Sequence, residues 1–128
     1  MRILLDTNAF LWSVTSDRKL GRNAAKAFLR EENSLLLSIV SLWEITIKVS
    51  IGKLYMPKPV SNFLLDQLRL NGIDLLEISP EHVFGLEELP LHHGDPFDRL
   101  IISQCSIEKI PVVSGDAIFR KYPVRVIW

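Results

Sequence analysis

Two carboxylates, Asp95 and Asp98, lie three positions apart at the predicted start of a helix. Gly94 and Pro96 interrupt the chain just before it, and apolar residues at helical spacing follow from Phe97. Aspartate at a helix start is often only a cap, which stabilises the helix by about 1 kcal/mol. The pair therefore indicates chemistry only if other acids join it.

Three more acids follow predicted strands. Asp6 ends the first apolar run, Glu44 lies one turn into the helix after the second strand, and Asp116 ends the fourth strand. The carboxyl ends of parallel strands border the ligand crevice of an open sheet. We therefore expect these three acids and Asp98 to meet at one sheet edge, with Asp95 as a fifth candidate.

Carboxylates gathered without a matching lysine repel one another by several kcal/mol unless a cation or protons intervene. All-oxygen ligation favours Mg²⁺ or Mn²⁺, which keep several waters and are often held by few carboxylates and a substrate phosphate. A bound ion of this kind activates an attacking water and stabilises charge on the phosphate. The acids therefore predict phosphodiester hydrolysis, with one or two metal ions.

Each acid also has a structural interpretation. Asp6 and Asp116 could be helix caps, and Asp98 could complement a helix dipole. Glu44 could be the reciprocal partner of Ser41 in a capping box that starts its helix. We favour the metal site because four acids that all lie at the same sheet edge for purely structural reasons are much less frequent than one.

Polar neighbours of the acids are candidates for supporting roles. We expect Thr7, Asn8 and Ser114 to orient the carboxylates by hydrogen bonds, although such residues are equally typical of turns and caps. His92 and His93 could touch substrate or metal, but their loop position beside an oxygen-rich site makes this the less favoured interpretation.

The elements that must position these residues alternate between strands and helices. Short apolar runs predict strands at 3–5, 35–39, 73–78, 111–114 and 124–128. Helical spacing and caps predict helices at 9–14, 22–32, 41–50, 60–70, 80–89, 96–108 and 117–121. This alternation implies right-handed crossovers and an α/β three-layer sandwich with a central, mainly parallel sheet.

Composition limits the class of protein. A chain of 128 residues, 48% of them hydrophobic, fits a single domain spanning 1–128. The 15 basic and 15 acidic residues balance, so no strongly basic nucleic-acid surface is indicated. The single cysteine, Cys105, excludes an intramolecular disulfide and indicates a reduced, core-facing thiol. With no signal peptide or membrane-spanning segment evident, we expect a cytoplasmic protein.

Four segments, taken together and in this order, resemble the PIN-domain ribonucleases, in particular the VapC-type toxins of type II toxin-antitoxin systems. They are Met1 to Asn8, Ser41 to Ile45 with Lys48 and Gly52 to Leu54, His92 to Arg99, and Val113 to Asp116 with Tyr122 to Val124. The resemblance spans almost the whole chain. One departure is Gly115, which stands where a bulkier residue is usual and leaves Asp116 in register.

The resemblance implies a role for each acid. By position, Asp6, Glu44, Asp98 and Asp116 would be the catalytic, metal-binding residues, and Asp95 a supporting acid. It also implies Mg²⁺ or Mn²⁺ dependence, an RNA substrate, a homodimer, and inhibition by a cognate antitoxin protein.

The residues themselves support the RNA substrate only weakly. Arg99, Lys48 and Lys53 are candidate phosphate contacts around the acids, and equally could be solvated helix faces. Trp12 and Trp43 could stack on a base, but their helical spacing among apolar residues favours a core or dimer contact.

Two other classes compete with the nuclease. A phosphatase of the haloacid dehalogenase type also begins with a strand ending in aspartate, but its second aspartate would stand at Asn8, and its downstream lysine is not evident. A catalytically silent interaction domain would bind a metal or partner without cleavage. The presence of all four acids argues against it.

Overall fold

The computed structural model describes residues 1–128 and shows a five-stranded sheet with helices on both faces. The strands are β1 (Arg2–Leu5), β2 (Ser34–Ser38), β3 (Ile73–Leu76), β4 (Val112–Val113) and β5 (Val126–Ile127). The helices are α1 (Thr7–Val14), α2 (Arg22–Leu29), α3 (Ile39–Ser50), α4 (Val60–Leu70), α5 (Pro80–Phe84) and α6 (Pro96–Glu108). Two short 3-10 helices span Gly85–Glu87 and Ala117–Lys121.

The strands are ordered β3-β2-β1-β4-β5, and every pair is parallel. The predicted α/β three-layer sandwich is confirmed, and the sheet is wholly rather than mainly parallel. Because β1 lies in the centre, between β2 and β4, the residues that follow these three strands all emerge at the same edge.

The core lies on both faces of the sheet because successive strand side chains point in opposite directions. Ile3 and Leu5 of β1 pack into one apolar cluster with Phe10, and Leu4 packs into a second cluster with Ile101. All five side chains are fully buried. Burial of each side chain contributes about 1.5–3 kcal/mol, which anchors the strand that ends at Asp6.

The start of α3 differs from the prediction. The helix begins at Ile39, and Ser38 at the end of β2 caps it by accepting a hydrogen bond from the Val40 amide at 3.1 Å. The predicted capping box is therefore wrong. Ser41 lies inside the helix and is fully buried, so Glu44 has no capping role and faces the site instead.

Other predicted boundaries are too generous. The third strand ends at Leu76, the predicted helix 80–89 divides into α5 and a 3-10 helix, and the segment 117–121 is 3-10 rather than α-helical.

Cys105 is a buried free thiol, as expected. None of the helices combines the length and the apolar character needed to cross a bilayer.

Candidate active site

All five acids line one small pocket at the carboxyl edge of the sheet, with a volume of about 150 Å³. The lining residues are Asp6, Thr7, Asn8, Trp12, Glu44, Lys48, Asp95, Asp98, Gly115 and Asp116. One lysine therefore accompanies five carboxyl groups, and the expectation of no matching lysine was wrong. The pocket combines excess negative charge with room for several water molecules.

Asp6 lies directly after β1, where its amide donates to the Val113 carbonyl of β4 at 3.0 Å. Its carboxylate caps α1 by accepting from the Ala9 amide at 2.7 Å. The pKa of Asp6 is raised from 3.8 to about 6, mainly by burial and to a smaller extent by the nearby charges of Asp116 and Glu44, while hydrogen bonds from Ser114 and the Ala9 amide lower it. Asp6 thus caps α1, and its negative charge is disfavoured by the surroundings of the pocket.

Glu44 is buried and both of its oxygens have partners. Thr7 Oγ1 donates to Oε1 at 2.6 Å, and Lys48 Nζ donates to Oε2 at 2.7 Å. Ser41 Oγ lies 2.9 Å from Thr7 Oγ1, and because the Thr7 proton is directed to Glu44, Ser41 is the donor to Thr7. The Glu44–Lys48 pair has the i, i+4 spacing that could have identified it in the sequence.

The start of α6 places Asp95 and Asp98 as the sequence predicted. Asp95 caps the helix by accepting from the amides of Phe97 and Asp98 at 2.9 and 3.0 Å. Burial raises the pKa of Asp98 to about 7, and the charge of Asp95 adds to the rise. His93 opposes it, with Nε2 at 3.3 Å from Asp98 Oδ2.

Asp116 follows β4 and is exposed. It caps the last 3-10 helix by accepting from the Ile118 amide at 3.0 Å, and its own amide donates to Ser114 Oγ at 3.1 Å. A Cβ at Gly115 would lie 2.5 Å from Cζ2 of Trp128. The glycine therefore leaves room for the indole of Trp128, which gives a physical reason for the small residue at this position.

The five acids of the pocket offer only carboxylate oxygens as metal ligands, the type that Mg²⁺ and Mn²⁺ prefer. In these side-chain positions, no three histidine, cysteine, aspartate or glutamate groups converge on a point where one ion could be held. A closed protein cage is therefore absent, but Mg²⁺ usually keeps several waters and takes only one or two carboxylates directly. Crowded carboxylates with raised pKa values fit such a partly hydrated ion.

The predicted substrate contacts have different positions. Lys48 lines the pocket and is paired with Glu44, whereas Lys53 is exposed outside the lining. Arg99 is buried, and its guanidinium donates to the carbonyls of Pro90 and Leu89 at 2.8 and 3.3 Å. Three of its N–H groups donate within the protein and only 8% of the residue is exposed, so this geometry does not favour the predicted phosphate contact of Arg99.

The tryptophans also depart from the core interpretation. Trp12 lines the pocket and packs against Trp128, with ring centroids 5.8 Å apart. Trp43 is 56% exposed and meets the Phe97 ring edge-on at 5.0 Å. Trp43 is therefore not a core residue.

One residue of the site, Tyr122, had no role predicted from the sequence. Tyr122 is buried, with its hydroxyl 2.7 Å from His93 Nδ1. The ring of His92 packs edge-on against Tyr122 at 4.8 Å but makes no hydrogen bond to Asp98. Nothing in the sequence pairs Tyr122 with His93, because they are 29 positions apart.

A larger cavity of about 630 Å³ lies at the opposite edge of the sheet. Its lining includes Arg2, Lys109 and Arg125 and a single acid, Glu108. It has no cluster of carboxylates, so the small acidic pocket is the candidate active site on chemical grounds.

Comparison with known proteins identifies the family. The sequence model of the PIN domain matches residues 3–124. Ribonuclease VapC16 of Mycobacterium tuberculosis is 36% identical over 61 residues, which cover 47% of this chain and 43% of that protein. The chain thus aligns with less than half the length of this relative.

Solved structures share the fold. VapBC2 from Rickettsia felis, bound to a DNA fragment from its promoter, matches with a TM-score of 0.72 and 20% identity, covering 98% of this chain and 97% of that chain. FitAcB from Neisseria gonorrhoeae matches with a TM-score of 0.67 and 18% identity, covering 97% and 95%. These structures show the shared fold, and the sequence match over residues 3–124 shows that the chain belongs to the PIN domain family.

Proposed function

We propose that this chain is a single-domain, Mg²⁺- or Mn²⁺-dependent endoribonuclease and the toxin component of a type II toxin-antitoxin pair. The observation that carries the proposal is the pocket itself, where five acids and one lysine surround about 150 Å³. Family membership supports the same chemistry, since the aligned relative is named a ribonuclease.

In this proposal Asp6, Glu44, Asp98 and Asp116 hold the metal, and Asp95 supports them through its negative charge. A bound divalent ion would supply activation of the attacking water and charge neutralisation at the scissile phosphate. The chain's own groups do the positioning: hydrogen bonds from Thr7 and Ala9 keep Glu44 and Asp6 oriented toward the pocket. Such neighbours of metal ligands usually fix ligand geometry.

Lys48 is the residue we propose for phosphate binding. Its side chain is 43% exposed and lies at the pocket, so its ammonium can reach solvent as well as Glu44. Binding of a cation near Glu44 would weaken this ion pair and leave Lys48 available to a phosphate oxygen. Lys53, outside the pocket, would contact only more distant phosphates.

A partner protein and a second copy of the chain complete the proposal. The structural neighbours VapBC2 from Rickettsia felis and a toxin-antitoxin complex from Klebsiella pneumoniae support a cognate antitoxin. The homodimer is proposed from the family resemblance, and sedimentation of the purified protein tests it. Expression without an antitoxin should slow bacterial growth, and normal growth with intact protein would contradict the toxin role.

Cleavage of total RNA by the purified protein tests the nuclease directly. We expect fragments with Mg²⁺ or Mn²⁺ and none with excess EDTA, and Asp116→Asn should lower the cleavage by at least about 100-fold. Undiminished cleavage in EDTA would refute the metal requirement.

The pairing of Lys48 with Glu44 favours one alternative, a catalytically silent interaction domain, because the lysine partly neutralises the pocket without a metal. In that case the wild type would leave RNA intact in every metal buffer.

A further inference from the structure

We infer that His93 positions the Asp98 carboxylate through a hydrogen bond whose direction is set by Tyr122. This rests on the proposed function in one respect, since it takes Asp98 to be a metal ligand. His93 is not itself assigned to the metal or to the substrate. Its role follows from the way the hydrogen bonds around it must be arranged.

The ring of His93 bridges two groups. Nε2 lies 3.3 Å from Asp98 Oδ2, and Nδ1 lies 2.7 Å from the Tyr122 hydroxyl. The side chains of His93 and Asp98 are only 20% and 21% exposed, so water competes little for this contact. Distances alone do not tell which ring nitrogen carries the proton.

The Tyr122 hydroxyl resolves this question. Arg99 Nη1 donates to it at 3.1 Å, and the His93 backbone amide donates to it at 3.3 Å. A phenolic oxygen has one proton and two lone pairs. Both lone pairs are therefore used, and the single proton of Tyr122 must point to the remaining neighbour, His93 Nδ1.

It follows that Nδ1 is an acceptor and carries no proton. A neutral imidazole then has its proton on Nε2, where it can only donate, and Asp98 Oδ2 is its acceptor. The opposite tautomer would place a third donor against Tyr122, leave the phenolic proton without an acceptor, and turn a lone pair toward the carboxylate.

Arg99 makes this arrangement rigid. Its guanidinium is tied to the carbonyls of Leu89 and Pro90 as well as to Tyr122, and Arg99 and Tyr122 are only 8% and 4% exposed. The chain preceding α6 is thereby fixed to the first turn of the helix. His93 is the one side chain that hydrogen-bonds Asp98, so the carboxylate has no other fixed orientation.

Hydrogen-bond partners of metal ligands typically change metal affinity or activity by about 10- to 100-fold when they are removed. The sequence offers a matched control in His92, which contacts the same tyrosine ring edge-on without hydrogen-bonding Asp98. A positioning role therefore predicts a large effect at His93 and none at His92.

The tautomer is tested by NMR of ¹⁵N-histidine-labelled protein in EDTA at pH 8.5, well above the ordinary histidine pKa of about 6.5. The His93 ring is identified by its absence in His93→Gln. We expect an Nε2–H tautomer in the wild type and a mixture in Tyr122→Phe. A wild-type ring protonated on Nδ1 would overturn the inference.

The positioning role is tested by calorimetric titration with Mn²⁺, without RNA. We expect about 10- to 100-fold weaker binding by His93→Ala, wild-type binding by His92→Ala, and substantial recovery in His93→Gln, whose amide N–H can replace Nε2–H. Melting in EDTA verifies folding. If the alanine variant unfolds, Tyr122→Phe supplies the test, because loss of the hydroxyl releases the His93 tautomer and should weaken Mn²⁺ binding, whereas wild-type binding by Tyr122→Phe would contradict the positioning role.

The outcomes separate the two proposals. Equal Mn²⁺ affinity in the wild type and in both His93 variants overturns the positioning role and leaves the nuclease intact. Weaker binding by His93→Ala in a protein that cuts no RNA overturns the nuclease and supports the positioning role. A wild type that binds no Mn²⁺ overturns both.

Discussion

Replacing Asp6 with asparagine removes one buried charge from the pocket while leaving an oxygen that can still accept from the Ala9 amide. Asparagine and aspartate cap helices about equally well, so the loss of the cap contributes little. In the metal-free protein the variant should therefore be more stable than the wild type at neutral pH. This is opposite to the usual effect of changing a buried, hydrogen-bonded residue.

The magnitude follows from the pKa of Asp6, which folding raises from 3.8 to about 6. One pKa unit corresponds to about 1.36 kcal/mol, so the buried charge costs about 3 kcal/mol. A carboxyl group whose pKa is raised on folding contributes its full stability below the unfolded value. That contribution is lost as pH rises through the folded value.

The stability advantage of Asp6→Asn should therefore be close to zero at pH 3.5 and grow to about 3 kcal/mol above pH 7. For a domain of 128 residues this corresponds to roughly 10 °C in melting temperature. Any effect of the amide group on packing is the same at every pH. The pH dependence of the stability difference between the two proteins therefore reports only the cost of the Asp6 charge.

Mn²⁺ should reverse the order. At a concentration of about 1,000 times its Kd, a ligand stabilises the protein that binds it by about 4.1 kcal/mol. This exceeds the advantage of the variant, which has lost a proposed metal ligand. The wild type should then melt at the higher temperature.

The assay is thermal unfolding of both proteins from pH 3.5 to 8, in EDTA and with saturating Mn²⁺. Asp17→Asn is the matched control, since Asp17 accepts a backbone hydrogen bond from Lys19 at 2.8 Å but does not line the pocket. A difference between wild type and Asp6→Asn that does not change with pH would refute the assigned cost of the Asp6 charge. An unchanged order with Mn²⁺ would remove Asp6 from the metal site.

Three further predictions concern single positions. Asp116→Asn should lower RNA cleavage by at least 100-fold with little loss of stability, because the exposed side chain keeps its cap; equal cleavage would exclude a catalytic role. Gly115→Ala should destabilise the protein by about 1–3 kcal/mol because its Cβ meets the Trp128 ring, whereas Gly94→Ala meets nothing within 4 Å and should melt nearer to the wild type. Arg99→Met should destabilise by about 2–5 kcal/mol in denaturant unfolding because buried acceptors lose their donor, and wild-type stability would contradict the buried assignment.

The sequence by itself determined the layered fold and the identity of the acids. Alternating apolar runs and helical spacings specify a parallel sheet, and β1 ends at Asp6 where the apolar run stops. Parallel strands bring their carboxyl ends to one edge, so the gathering of Asp6 and Asp116 follows from topology. These features are local or follow from connectivity, which is why they can be read from the chain.

Tertiary structure decided which polar groups meet. Arginine beside an acidic site is typical of a surface phosphate contact. Arg99 is buried instead, because its guanidinium donates hydrogen bonds to the Tyr122 hydroxyl and to two backbone carbonyls. The contact between His93 and Tyr122 joins residues 29 positions apart, and the room that Gly115 leaves for Trp128 is likewise nonlocal. Hydrogen-bond direction and close packing depend on distances of a few tenths of an ångström, which residue type and spacing do not specify.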